Sequence, residues 1–182
     1  MQLLRSSLLW ASRNRRMERI VRSNRAMRPL VSRFMPGENL DDARKAVRTL
    51  DAEGTPSILT YLGENVTSEI EAEGSMSHYL ELMASLSADQ IILKSNTRAS
   101  TAADLRAHIS IKLTQFGWDL DRAQALDRVR RLARLTEKDG TILAIDMESS
   151  AYTASTVDVY AQLAGEFRNV ALCVQAYLHR TP

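Results

Sequence analysis

Residues 109–114 read Ile-Ser-Ile-Lys-Leu-Thr, and this stretch decides the fold class of the chain. Apolar and polar side chains alternate along it, which is the pattern of a β-strand whose two faces differ. We therefore predict a strand over residues 109–113 in which the isoleucines point to one face and Ser110 and Lys112 to the other. The lysine at the end of this strand is the first candidate for a functional residue.

Towards the C-terminus, predicted strands and helices alternate. Residues 141–147 and 170–178 are predicted strands, and residues 121–136 carry apolar side chains at helical spacing. A second helix is predicted to begin at Ser155, which together with Asp158 resembles a capping box. Each of these strands is therefore separated from the next by a helix.

The same alternation extends towards the N-terminus. Asn39 is a suitable N-cap for a helix that Gly54 ends, because asparagine accepts backbone hydrogen bonds and glycine adopts the left-handed conformation. A strand over residues 57–62 and a helix over residues 67–86 follow. Residues 90–93 are a candidate for a further short strand.

Strands that alternate with helices predict parallel β–α–β units and an α/β fold. No glycine-rich phosphate loop follows a predicted strand, which argues against the dinucleotide-binding and P-loop versions of this fold. The pattern favours a (βα)8-type barrel. Because such a barrel takes about 250 residues, residues 34–182 are expected to supply about the first four β–α units. A basic helical arm over residues 1–33 precedes them.

The arm has a charge of its own. Nine of the 24 basic residues lie in residues 1–33, where Glu18 is the one acid, and the other acidic residues lie beyond it. Leucines between the arginines indicate an amphipathic helix, and the leading interpretation is that it packs these leucines on the domain. Binding to an anionic membrane surface and mitochondrial targeting are the alternatives. No nucleic-acid partner is predicted, because aromatic residues for base stacking are not interleaved with the arginines.

Composition excludes several classes of protein. A chain of 182 residues with 45% hydrophobic and 25% charged residues is typical of one globular domain. No stretch approaches the ~20 consecutive apolar residues of a membrane-spanning helix. The single cysteine, Cys173, cannot form an internal disulfide, and no Cys and His residues have the spacing of metal ligands, so no metal site is predicted.

Three polar side chains are predicted near the carboxyl ends of three strands: Lys112, Asp146 and Gln175. The loops at that end of a parallel barrel converge on one mouth, where active sites form. A lysine, a carboxylate and an amide in equivalent positions therefore predict one polar site, the alternative being that each caps a neighbouring loop. Glu64, after the first predicted strand, is a candidate for the same mouth. The weaker candidates are His78, His108, His179, Arg180 and Cys173.

Five short motifs occur in order along the chain. They are Arg33-Phe34-Met35-Pro36-Gly37-Glu38, Tyr61-Leu62-Gly63-Glu64, Ile109-Ser110-Ile111-Lys112-Leu113-Thr114, Ile145-Asp146-Met147-Glu148 and Val174-Gln175-Ala176-Tyr177-Leu178-His179-Arg180-Thr181. Together these motifs resemble the flavin-dependent proline dehydrogenase family, and the resemblance runs from about residue 28 to residue 182.

The resemblance implies a distorted (βα)8 barrel that holds FAD at its C-terminal mouth. It implies oxidation of L-proline to 1-pyrroline-5-carboxylate, with electrons passing to a membrane quinone. Lys112 would lie near the proline carboxylate, and Asp146 would help to order the substrate pocket. Gln175 would hydrogen-bond the flavin ring, and Met147 is assigned with it to the cofactor-binding group. The expected location is the cytoplasm with peripheral attachment to the inner membrane, or the mitochondrion as the alternative.

The resemblance also implies an incomplete barrel. The chain is expected to be a fragment, a natural truncation, or a half-barrel that a second chain or a downstream half completes. Alone it is expected to bind FAD weakly and to lack turnover. Two alternatives come from other classes: a Schiff-base aldolase-type barrel with Lys112 as the nucleophile, and a non-catalytic half-barrel that acts through its open sheet edges.

Overall fold

The computed structural model describes residue 37, residues 39–89 and residues 107–177. The basic arm over residues 1–33, the predicted strand over residues 90–93, and the side chains of His179 and Arg180 lie outside the described residues. The chain divides into two units between Ala43 and Arg44, and the second unit contains the sheet. No helix in the described ranges has the length and apolar composition needed to cross a membrane.

The first described helix, α1, spans Leu40–Ala52. As predicted, Asn39 caps it: the Asp42 N–H donates to Asn39 Oδ1 at 2.9 Å. Gly54 follows the helix with a φ of +69°, a left-handed conformation that glycine adopts at little cost. The prediction of this helix is confirmed.

The second helix, α2, spans Glu69–Ala88 and lies two residues later at both ends than predicted. Ser68 caps it by accepting a hydrogen bond from the Glu71 N–H. Four large side chains that share one face at helical spacing are buried: Tyr79, Leu82, Met83 and Leu86. The helix therefore buries one apolar face, as its periodicity predicts.

Four parallel strands form one sheet in the order β1-β2-β3-β4. Their bounds are Ser57–Thr60 for β1, Ala107–Ile111 for β2, Leu143–Asp146 for β3 and Val170–Cys173 for β4. Helix α3, Arg122–Lys138, connects β2 to β3, and helix α4, Thr153–Glu166, connects β3 to β4. The predicted α/β class with a parallel sheet is confirmed.

The two faces of the sheet differ in polarity. Alternate side chains of β2 and β3 are fully buried and form the core beneath the helices: Ile109, Ile111, Leu143 and Ile145. The strand register places Ser110 beside Ala144 and Asp146 beside Cys173, so these side chains share the opposite face. We call this opposite face the polar face; its residues on β2, β3 and β4 are His108, Ser110, Ala144, Asp146, Ala171 and Cys173.

Strands β1, β3 and β4 are shorter than predicted, and β2 has the predicted length but lies two residues earlier. Two of these differences concern the site. Strand β4 ends at Cys173, not at residue 178, so Gln175 lies in the loop beyond the strand. Strand β2 ends at Ile111, after which the chain turns into a 3-10 helix over Leu113–Phe116. The cause is local, because the Gln115 side chain accepts a hydrogen bond from the Lys112 N–H and so removes that donor from a strand ladder.

Helix α4 begins at Thr153, two residues before the predicted start. The predicted capping box is wrong because the Ser155 hydroxyl donates to the Tyr152 carbonyl within the first turn. The buried side of the helix carries Thr156, Val159 and Leu163. Packing against β3 and β4, and not the predicted cap, therefore determines where this helix lies.

Asp89 joins the end of α2 to α1. Its two carboxylate oxygens accept hydrogen bonds from Arg44 Nε at 2.9 Å and Arg44 Nη2 at 2.8 Å, and Arg48 donates to the same group. These hydrogen bonds from the guanidinium groups hold the pKa of Asp89 well below its usual range. The ionised carboxylate is therefore part of the folded structure.

We expect acid to destabilise the fold partly through Asp89. Because its pKa is depressed in the folded protein, its contribution is present above the unfolded-state pKa of about 3.9 and is lost as the pH falls through the lower folded-state value. Asp89→Asn should lower the thermal unfolding midpoint at neutral pH and flatten its decline in acid. The control is Asp158→Asn on the exposed side of α4. The same acid dependence in both variants would contradict this role for Asp89.

Candidate active site

An ion pair stands at the carboxyl ends of two neighbouring strands. Lys112, the residue after β2, places its Nζ 3.1 Å from Oδ2 of Asp146, the last residue of β3. Their side chains are 17% and 22% exposed, so the pair is accessible from solvent but largely shielded from it. The structure therefore brings together two of the three side chains that the sequence placed at strand ends.

Asp146 is held from a second side. The Ser110 hydroxyl, on the polar face of β2, donates to Asp146 Oδ1 while Lys112 occupies Oδ2. Ser110 is itself buried. One oxygen of the carboxylate thus has a donor on β2 and the other has a donor directly after β2, which fixes the orientation of the carboxylate.

A second carboxylate lies near the lysine. Glu64 Oε1, in the loop after β1, is 4.0 Å from Lys112 Nζ, and the Glu64 side chain is 54% exposed. One ammonium group therefore faces two carboxylates, and the local formal charge is negative. Glu64 joins the strand-end cluster as the sequence suggested, although solvent screens this longer contact.

Cys173 lies on the polar face beside Asp146 in the strand register. Partial desolvation raises the pKa of its exposed thiol, and the neighbouring Asp146 carboxylate raises it further. A thiol with a raised pKa is protonated at neutral pH and is a poor nucleophile. Cys173 therefore contributes a small uncharged side chain to the face.

The other two predicted site residues lie in loops. Gln175 is half-buried two residues beyond the end of β4, and Met147 is half-buried directly after β3. Both loops begin at the carboxyl ends of the strands, where Lys112 also lies, because all four strands are parallel. In the described residues, no group of three His, Cys, Asp or Glu side chains is arranged to hold a metal ion.

Sequence reasoning missed the side chains that tie the neighbouring loops together. Thr114 donates from its N–H at 3.2 Å and from its hydroxyl to the Glu148 carboxylate, which joins the loop after β2 to the loop after β3. Gln115 donates to the Tyr61 carbonyl and so joins the loop after β2 to the loop after β1. The available signal was a pair of polar residues between Leu113 and Phe116, directly after a strand.

A cavity of about 390 Å³ lies between the loop after β1 and the first half of α2. Its lining includes Glu64, Thr67, Glu71, and a ring pair in which Tyr61 stacks on His78 with centroids 4.5 Å apart. Hydrogen bonds from Thr67 lower the pKa of the Glu71 carboxyl. Glu64 therefore borders both this cavity and the ion pair on the sheet.

Known proteins resemble the chain along most of its length. The sequence profile of the family described as proline dehydrogenase matches residues 43–182. Proline dehydrogenase 1 of Bacillus subtilis strain 168 is 27% identical over 178 residues, which cover 98% of this chain and 54% of that protein. Proline dehydrogenase of Deinococcus radiodurans is 26% identical over 185 residues, with 99% and 54% covered. The chain thus spans about half the length of the curated relatives it matches.

Solved structures share the fold. The crystal structure of proline utilization A (PutA) from Bdellovibrio bacteriovorus inactivated by N-propargylglycine matches with a TM-score of 0.65 and 26% identity, over 79% of this chain and 17% of that chain. A mutant PutA from Bradyrhizobium japonicum matches with a TM-score of 0.56 at 18% identity, over 79% of this chain and 15% of that chain, a likeness of fold alone. The family profile extends over all four strands and over both members of the Lys112–Asp146 pair. On that ground, the chain belongs to the proline dehydrogenase family.

Proposed function

We propose that this chain forms half of the (βα)8 barrel of an FAD-dependent proline dehydrogenase. The enzyme would oxidise L-proline to 1-pyrroline-5-carboxylate and pass the electrons to a quinone. The observation that carries the proposal is the ion pair of Lys112 and Asp146 at the carboxyl ends of adjacent parallel strands. In barrels of this type, substrates bind at that end of the strands.

Lys112 is the residue that we assign to the carboxylate of proline. An ammonium group has three hydrogens, of which Asp146 accepts one, and the other two would bind a substrate carboxylate. The ammonium is a compact charge whose position is set by Asp146, and a charged hydrogen bond is stronger than a neutral one. Lys112 would therefore bind and orient the substrate.

Asp146 acts through Lys112 in this proposal. It accepts hydrogen bonds from Ser110 and Lys112 and so holds the ammonium in one place before the substrate arrives. Preorganisation of this kind lowers the entropic cost of binding and positions the reacting C–N bond. Asp146 would therefore order the pocket.

FAD is the proposed cofactor, and it would supply the hydride acceptor of the reaction. The polar face fits a flat ring system, because Ala144 and Ala171 are neighbours in the strand register and carry only methyl groups. Gln175, after β4, would hydrogen-bond the edge of the ring, since an amide both donates and accepts. Met147, after β3, would pack against the ring through its polarizable side chain.

The four described strands would be half of an eight-stranded barrel. We propose that a downstream half or a second chain supplies the rest, which agrees with the 54% of each curated relative that the chain covers. Charge gives a further reason to expect a contribution from that half. A substrate carboxylate beside Asp146 and Glu64 needs more positive charge than Lys112 alone provides.

The basic arm would attach the enzyme to the membrane that holds the quinone. This part of the proposal rests on the nine arginines of residues 1–33, since basic amphipathic segments bind anionic lipid surfaces. It implies a cytoplasmic protein at the inner membrane, with a mitochondrial location as the alternative. The competing interpretation, which is the leading one from the sequence, is that the arm packs its leucines on the domain.

The Schiff-base alternative has less support from the geometry. A lysine nucleophile must be a free amine, whereas Asp146 holds Lys112 in an ion pair at 3.1 Å. No specific contact of the described residues favours the non-catalytic half-barrel over the enzyme. Proline oxidation is therefore the function that the site supports best.

We expect the purified chain to bind FAD substoichiometrically and to show no bleaching of flavin absorbance when L-proline is added without oxygen. Co-expression with the C-terminal half of the Bacillus subtilis relative should restore both flavin binding and bleaching. Stoichiometric flavin that proline bleaches on the chain alone would contradict the half-barrel. A completed, flavin-loaded barrel that proline does not bleach would contradict the proposed reaction.

A further inference from the structure

Gln115 is the fully buried polar side chain at the centre of the loops around the site. It lies in the 3-10 helix that follows Lys112. Its Oε1 accepts hydrogen bonds from the Lys112 N–H at 3.0 Å and from the Tyr79 hydroxyl at 3.1 Å, and its Nε2 donates to the Tyr61 carbonyl. Every polar atom of this side chain is therefore engaged.

The Tyr79 hydroxyl completes this arrangement from α2. It shares its proton between the Gln115 Oε1 and the Ser110 carbonyl at 2.9 Å, and it accepts a hydrogen bond from the Tyr61 N–H at 3.2 Å. Burial raises the pKa of Tyr79 to about 12, so the hydroxyl remains a donor across the physiological range. Gln115 and Tyr79 together therefore hold backbone groups at the end of β2 and in the loop after β1.

These contacts act on the two loops that carry the charged residues. The Lys112 backbone N–H is fixed at the point where β2 ends, and the Tyr61 carbonyl lies three residues before Glu64. Without Gln115, the Lys112 N–H would lose its partner, and the turn that aims the lysine would be free to relax. The distance between Lys112 Nζ and Asp146 therefore depends on a side chain that contacts neither charged group.

We propose that Gln115 is a positioning residue that holds the backbone of Lys112 so that its ammonium lies against Asp146. Its importance for the reaction rests on the proposed role of Lys112 in binding the proline carboxylate. The positioning itself is a property of this chain, and it is testable without flavin or proline.

The test measures how fast acetic anhydride acetylates Lys112 in the full chain, with the exposed Lys138 at the end of α3 as the internal reference. The rate at each lysine is read by mass spectrometry of the peptides. Gln115→Leu removes all three hydrogen bonds at similar volume and should raise the Lys112/Lys138 ratio about three- to tenfold, as expected when one or two hydrogen bonds that order a group are lost.

Two further variants separate positioning from stability. Leu132→Ala creates a cavity in the buried face of α3 and should destabilise the fold without changing the Lys112/Lys138 ratio. Gln115→Glu keeps the oxygen that accepts from the Lys112 N–H, so its ratio should stay within about twofold of the wild type. If Gln115→Leu does not fold, Gln115→Asn takes its place as the variant that lacks the contact, because the shorter side chain cannot reach the Lys112 N–H. Gln115→Glu is then compared with Gln115→Asn in the same way.

The proposal is overturned if loss of the Gln115 contact leaves the ratio unchanged, or if Leu132→Ala raises it equally. It is also overturned if Gln115→Glu behaves like the variant that lacks the contact. A failure of flavin binding or of proline oxidation in the completed barrel changes none of these ratios. The two proposals therefore fail separately.

Discussion

Replacing Lys112 with methionine is expected to lower kcat/KM for L-proline about 100-fold in the flavin-loaded, completed barrel. Methionine keeps much of the apolar stem but removes the charge that faces Asp146 and, in our proposal, the substrate carboxylate. A hydrogen bond to a charged group contributes about 1.5–3 kcal/mol, which corresponds to a rate factor of roughly 10 to 150. Most of the loss should appear in KM, because the carboxylate is bound alike before and during the reaction.

Steady-state kinetics with proline measure this effect. The control is Lys138→Met, which removes an exposed lysine from the end of α3 and should leave both constants unchanged. Lys112→Arg should retain part of the affinity, because it keeps the charge but replaces a compact ammonium with a planar guanidinium. A Lys112→Met enzyme with the wild-type KM would remove this lysine from the substrate site.

Replacing Arg128 with methionine is expected to lower the free energy of unfolding by about 2–3 kcal/mol. Arg128 is 4% exposed on α3. Its guanidinium donates to the Phe116 carbonyl at 3.0 Å, to Glu73 Oε1 at 2.9 Å and to Glu69. The variant leaves a buried carbonyl without its donor and two glutamates of α2 without their partner. The expected loss lies below that of a fully buried ion pair, because both glutamates are about half exposed.

Urea unfolding followed by circular dichroism gives the free energy for this comparison. Arg131→Met is the matched control, since Arg131 lies on the exposed side of the same helix and its loss should change stability by less than about 0.5 kcal/mol. Equal stabilities of the two variants would show that the Arg128 contacts contribute little. Because Arg128 also anchors the 3-10 helix at Phe116, Arg128→Met is expected to affect the turn that follows Lys112 as well.

Part of the site could be predicted because it depends only on strand parity and on parallel topology. The alternation in residues 109–114 places Ser110 and Lys112 on one face, and the same rule places Asp146 at the end of the next strand. In parallel strands joined by helices, the carboxyl ends of neighbouring strands lie side by side. The 3.1 Å contact of Lys112 and Asp146 agrees with this reasoning.

Other features followed from contacts that no local pattern encodes. Leu126 is one of the apolar residues at helical spacing in the predicted helix over residues 121–136, but it is only half-buried. Arg128, a residue type that is usually exposed, is buried. Its burial depends on two glutamates more than fifty residues earlier in the chain. The end of β2 depends instead on a local hydrogen bond, which the Lys112 N–H donates to the Gln115 side chain and which overrides the strand pattern of Leu113.

The amino-acid sequence by itself determined the alternation of strands and helices, the parallel sheet, and the side of the sheet on which Lys112 and Asp146 lie. These properties follow from hydrophobic periodicity, which is local and repeats along the chain. Only the tertiary structure decided where the strands stop, which loops are joined, and that Gln115 and Arg128 are buried. The joined loops and the burial of Arg128 depend on hydrogen bonds between segments distant in the chain, whereas β2 ends at a hydrogen bond between Lys112 and Gln115, three residues apart. A buried polar group is stable only where the fold supplies its partners.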